Sequence, residues 1–119
     1  MEKVKFITHQ GKKILHIDFT NSRPDEVLQI IERAKEVIKT QPLGSLLTLT
    51  DSSGTQFDET VTAKMKEYAA HNKPYVRAGA AVGITGLRKI IFGAILLFSK
   101  RNLATFDTVE AAKDWLVKQ

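Results

Sequence analysis

The run Asp51-Ser52-Ser53-Gly54 places a carboxylate, two hydroxyls and a flexible glycine directly after the apolar stretch SLLTLT. With His71 further along, Ser53, His71 and Asp51 supply the residue types of a nucleophile, a base and an orienting acid. Types are not geometry: a helix from Asp58 carries His71 roughly 20 Å from the serines at 1.5 Å per residue, so no enzyme activity is expected. The plainer role of Asp51, Ser52 and Ser53 is to satisfy backbone groups of a strand-to-helix turn. A second run, Gly83-Ile84-Thr85-Gly86 ahead of Leu87-Arg88-Lys89, suits an anion contact, with Thr85 as a helix cap and Gly86, Arg88 and Lys89 behind it. Neither run has the Gly-Lys-Ser/Thr ending of a phosphate loop or a dinucleotide glycine spacing, so no cofactor is expected. Turn geometry and close helix packing account for Gly83 and Gly86. His9 and His16 lack further ligands at metal-site spacing, so they read as partly exposed strand histidines and no metal is expected.

The elements that must position these residues follow from periodicity. Residues 3–9 and 12–19 each alternate, with Gln10 and Gly11 between them, which specifies an antiparallel hairpin. Asn21 or Ser22 can cap the next helix, with Pro24, Asp25 and Glu26 in its first turn and Val27, Ile30, Ile31, Ala34, Val37 and Ile38 as its apolar stripe. A strand over 45–50 leads into the serine run, and Asp58 caps a helix burying Val61, Met65, Tyr68 and Ala69. His71, Asn72 and Pro74 close that helix, with Asn72 as the left-handed-tolerant residue. A buried strand over 75–84 is thinned by Ala and Gly, and a helix with Leu87, Ile90, Ile91, Ala94, Leu97 and Phe98 on one face follows. A brief strand, 103–106, precedes a helix capped by Asp107, with Glu110 reaching back and Val109, Ala112, Trp115 and Leu116 turned inward. The order β-β-α-β-α-β-α-β-α specifies an α/β sandwich, an N-terminal hairpin and then alternating strands and helices around a mixed sheet with a parallel core. The 119 residues are expected to form a single domain over 1–119.

Composition narrows the function classes. Hydrophobic content of 43% and charged content of 26% are ordinary for a globular domain. The absence of cysteine excludes disulfides and Cys nucleophiles and suits the cytoplasm, where the protein is expected. The apolar run from Ile90 to Phe98 is too short for a transmembrane segment and follows Arg88 and Lys89, while the N-terminus shows no secretory apolar region. The net charge is +5, and Lys64 to Arg101 holds eight cations against Glu67 alone, which allows an anionic small ligand or a merely solvated basic face. Exposed aromatics are not interleaved with these cations, so no nucleic acid is expected. Phe92, Ile95 and Leu96 extend apolar surface beyond what one sheet would cover, so this side is expected to meet a partner protein or a second copy in a homodimer.

The element order, the strand ending in Asp51-Ser52-Ser53-Gly54 and the tail Ala104-Thr105-Phe106-Asp107-Thr108-Val109-Glu110-Ala111-Ala112 together resemble the STAS family, the anti-sigma factor antagonists typified by SpoIIAA. The closer resemblance is to the small SpoIIAA-like proteins of bacteria, and it covers nearly the whole chain. It implies a non-enzymatic regulatory module that binds a partner protein and is switched by serine phosphorylation. Ser53 is then the phosphoacceptor, with Asp51, Ser52 and Gly54 as its loop neighbours. Thr55, Gln56 and Phe57 lengthen the loop relative to the family's pattern. The fold resembled is also shared with SEC14-type lipid carriers, so the alternative is a carrier of a lipid or small apolar ligand.

Overall fold

A computed structural model of the chain describes residues 3–84 and 102–119. The elements are β1 (Val4–His9), β2 (Lys12–Asp18), α1 (Pro24–Ile38), β3 (Leu46–Asp51), α2 (Glu59–Asn72), β4 (Val76–Val82), β5 (Leu103–Phe106) and α3 (Val109–Leu116). The five strands form one sheet in the order β1-β2-β3-β4-β5. β1 runs antiparallel to β2, and each later strand runs parallel to its neighbour, which is the mixed sheet with a parallel core that the sequence predicts. The helix expected across Leu87 to Phe98 lies outside the described residues. So do the anion-contact residues Thr85, Gly86, Arg88 and Lys89 and the interface residues Phe92, Ile95 and Leu96.

Alternation along the strands sends side chains to two separate cores. On one face, Val27, Ile30, Ile31, Ala34 and Ile38 of α1 join Val61, Met65, Tyr68 and Ala69 of α2 over Val4, Leu15, Ile17, Phe19 and Leu46. On the other, Ala112 and Leu116 of α3 pack on Ile14, Leu47, Leu49, Ala78, Ala80 and Val82. The alanines of β4 are short, so a helix of only 8 residues comes close enough to the sheet to bury Ala112 and Leu116 completely. Val109 and Trp115 flank this contact, partly buried.

Three local expectations are corrected. The N-cap of α1 is Arg23, not Asn21 or Ser22. Asn21 is held at a φ of 54°, and the Ser22 N–H donates to the Phe19 carbonyl, so both are used in a tight turn and the helix starts at Pro24. The Arg23 N–H instead donates to Glu26 Oε1 at 3.1 Å. The N-cap of α3 is Thr108, whose Oγ1 accepts from the Ala111 N–H at 3.1 Å, not Asp107. This moves the helix start one residue along, and Glu110 meets Lys113 Nζ at 3.4 Å rather than reaching back. Asn72 is helical and buried, not left-handed, and its Oδ1 meets the His71 ring.

Because Leu116 is fully buried against the second face of the sheet, Leu116→Ala should lower unfolding free energy by about 2–5 kcal/mol. Urea denaturation will measure it. A loss below about 1 kcal/mol would mean that α3 is not an integral part of the fold.

Candidate functional site

The serine run begins where β3 leaves the sheet, and the ladder bonds continue past that point. The Phe19 N–H donates to the Asp51 carbonyl at 2.9 Å, the Ser52 N–H to the Val82 carbonyl at 2.8 Å, and the Asn21 N–H to the Ser53 carbonyl at 2.9 Å. The loop is therefore gripped from both sides, by the end of β2 and by the end of β4. Asp51 Oδ1 accepts from the Ser53 N–H at 3.0 Å, closing the short side-chain turn that aspartate favours. This backbone role is the one its sequence position suggests. Ser52 is buried, whereas Ser53 is exposed. Of the two hydroxyls, only that of Ser53 belongs to an exposed residue.

Thr55, Gln56 and Phe57, which lengthen the loop, are fastened down. Thr55 is 5% exposed; its Oγ1 donates to the Phe19 carbonyl at 2.8 Å and its N–H to the Ser52 carbonyl at 3.1 Å. The Gln56 N–H donates to the Ser22 carbonyl at 3.0 Å, and Phe57 packs against the larger core. Asp58 Oδ1 then caps α2 through the Val61 N–H at 2.7 Å, as its place in the sequence predicts.

Close approach explains two glycines. A Cβ on Gly54 (φ +69°) would fall on the Asn21 side chain. A Cβ on Gly83 (φ +81°) would stand 2.5 Å from both N and Oγ of Ser53. Gly83 is thus the wall against which Ser53 rests. This contact between distant loops, like the left-handed Asn21, carries no local signature beyond the residue types. Asn is simply among the non-glycine residues that tolerate such a φ.

Charge gathers beside the loop at Asp18, which is paired with Asp51 across the β2–β3 ladder. Burial raises the Asp18 pKa, but hydrogen bonds from the Thr20 hydroxyl and N–H, together with Lys3 at 3.8 Å, outweigh it and hold the carboxyl below its ordinary value. His16 is also shifted down, which for a histidine disfavours the charged form. Burial lowers its pKa, with Lys5 and Lys113 adding to the effect, against the opposing pull of Asp18 and Asp51. The other two histidines are engaged elsewhere. His9 Nε2 meets Asp114 Oδ1 at 2.8 Å, tying the hairpin to α3. His71 Nδ1 meets Asn72 Oδ1 at 2.9 Å, and its ring lies 5.8 Å from that of Tyr75. The Tyr75 carbonyl accepts from the Leu46 N–H, which places His71 at the end of the sheet where β3 begins. Ser53 lies where β3 ends, a strand length or roughly 20 Å away. Ser53, His71 and Asp51 are not brought together. Among the described residues no cluster of His, Asp or Glu could hold a metal ion, and no helix is long and apolar enough to cross a membrane.

Two predictions follow from this geometry. Gly83→Ala should cost about 1–3 kcal/mol for the left-handed φ, plus the displacement of Ser53, whereas Gly11→Ala, at φ +77° with open space around it, should cost only the backbone share. Equal losses for the two variants in denaturant titrations would contradict the Gly83–Ser53 contact. The unfolded chain takes up a proton at His16 near the ordinary value of about 6.5, before the folded chain does, so stability should fall as pH drops below that value. Asp18 is shifted down in the folded chain, so its contribution is present above its unfolded pKa and is lost as pH falls through its folded pKa. Denaturation midpoints measured at about pH 7.5 and 5.5 should differ, and His16→Gln should narrow the difference.

No protein-family model matches the chain, and no curated protein matches it in sequence. Among solved structures it is similar to an uncharacterized protein from the DUF3478 family with a SpoIIAA-like fold, from Shewanella loihica PV-4. The likeness has a TM-score of 0.72 at 12% identity and covers 95% of this chain and 91% of that one. It establishes a shared SpoIIAA-like α/β fold.

Proposed function

We propose that this chain is a non-enzymatic regulatory module that binds a partner protein through the edge carrying Asp51, Ser52, Ser53 and Gly54, and that phosphorylation of Ser53 releases the partner. The observation that carries the reading is the contrast between adjacent serines: Ser53 is exposed on a loop gripped from both sides, while Ser52 is buried beneath it. A kinase needs a reachable hydroxyl, and a docking loop needs a fixed shape. The Asp51 turn and the Gly83 wall provide that shape.

Electrostatics sets the direction of the switch. A phosphate adds about −1.5 to −2 charges beside the carboxylates of Asp51 and Asp18. Like-charge repulsion there makes the modified loop a poorer surface for any partner that fits the unmodified one. The non-enzymatic reading is supported by the placement of His71 at the other end of the sheet from Ser53.

Intact-mass measurement after incubation with candidate kinases should show one added phosphate on the wild-type chain and none on Ser53→Ala. In pull-downs, Ser53→Ala should retain the partner and Ser53→Asp should lose about tenfold or more of the binding, since 1.4 kcal/mol of repulsion is a factor of ten. Equal recovery by both variants, with no modification found, would rule the switch out.

A further inference from the structure

The two ends of the parallel strands differ in charge. At the end where strands finish, the described residues include Asp18, Asp25, Asp51, Asp58, Glu59 and Asp107 beside Lys3 and Arg23. At the end where strands begin, residues 10–13, 39–45 and 73–77 contain no Asp or Glu at all, and they hold Lys12, Lys13, Lys39, Lys73 and Arg77, every one exposed. These connections stand side by side. The Gly44 N–H donates to the Pro74 carbonyl at 2.8 Å and the Leu46 N–H to the Tyr75 carbonyl at 3.0 Å, and Lys13 lies two residues before Leu15, which pairs with Thr48. Arg77 is the extra residue where the β3–β4 register shifts, which turns it out of the ladder into solvent. Two carboxylates on the flanking helices are paired, Glu36 with Lys39 at 2.9 Å and Asp114 with His9 at 2.8 Å.

In the middle of this basic edge the Pro42–Gly44 turn presents Leu43, 73% exposed and the only exposed large hydrophobic side chain among the described residues. An aliphatic tip among exposed cations matches a bilayer surface. The leucine enters the acyl boundary, the lysine stems lie along it and their ammonium groups reach phosphates. Nucleic acid would use the cations but has no use for the leucine.

We propose that this edge docks on anionic phospholipid membranes, with Leu43 inserted and Lys12, Lys13, Lys73 and Arg77 facing the headgroups. The proposal does not rest on phosphorylation of Ser53. The docked orientation points the Asp51–Gly54 loop away from the bilayer, since the two edges lie at opposite ends of β3.

The test is co-sedimentation of the full chain with vesicles of phosphatidylcholine alone or with about a third phosphatidylglycerol. Binding should require the anionic lipid and weaken as salt is raised. Lys73→Gln/Arg77→Gln should weaken it by an order of magnitude or more, at about fivefold per cation, and Leu43→Ser by about tenfold. Lys5→Gln/Lys66→Gln removes the same charge away from this edge and should change binding by less than about threefold. Far-UV circular dichroism will show that all variants, which alter exposed side chains only, remain folded. Equal binding to both vesicle types, or equal loss in the two double variants, would overturn the proposal. So would binding to polyglutamate that depends on Lys73 and Arg77 but ignores Leu43, which would assign the edge to an acidic protein. A salt-sensitive dimer in vesicle-free solution that is abolished by the same variants would assign it to a second copy and overturn it equally.

Discussion

The backbone ladder around β3 does not end where the sheet ends. A parallel strand that leaves its sheet still carries N–H and C=O groups that need partners, and leaving them unmet in a buried setting costs free energy comparable to a lost hydrogen bond. Here the carbonyls of Asp51, Ser53 and Val82 accept from backbone amides of neighbouring strand ends and loops. The shape of the serine loop is therefore dictated by the sheet and only trimmed by its own side chains. The left-handed conformations of Asn21, Gly54 and Gly83 follow from the same demand, because the three connections must turn sharply while staying close enough to exchange hydrogen bonds.

The two faces of the sheet are covered by different kinds of side chain among the described residues. Among the described residues, α1 and α2 bring large aliphatic and aromatic side chains to one face, while α3 rests on the alanines of β4 on the other. His16 and Asp18 lie at the end of β2, and their protonation balance reflects their surroundings. Partial burial disfavours the charged imidazole, and nearby hydroxyl and amide donors favour the charged carboxylate.

Much of this was legible in the sequence. Alternation around Gln10-Gly11, the α1 stripe from Val27 to Ile38, the Asp58 cap and the 103–106 strand all express one-dimensional periodicities that tertiary packing has no reason to override. The mixed sheet with its parallel core follows from their order. What was not legible depends on partners far away in the chain. Asn21 and Ser22 look like caps, but the Ser53 and Phe19 carbonyls claim their amides and shift the helix start. Asp107 and Thr108 are both acceptable caps, and one residue of register decides between them. The contrast between Ser52 and Ser53 arises only when the loop is laid across the strand ends, since nothing in a pair of serines says which will face inward.

The strand order carries one more consequence. Each described strand lies beside its predecessor in the chain, so the sheet can be extended by one rung at a time as synthesis proceeds, without a later one of these strands having to insert between two already paired. The larger core can form once α2 has emerged. On the face bearing Leu47 and Leu49, Ala112 and Leu116 of α3 join only after β5 has emerged. Among the described elements, the layer built by α1 and α2 is therefore complete well before the layer that α3 joins.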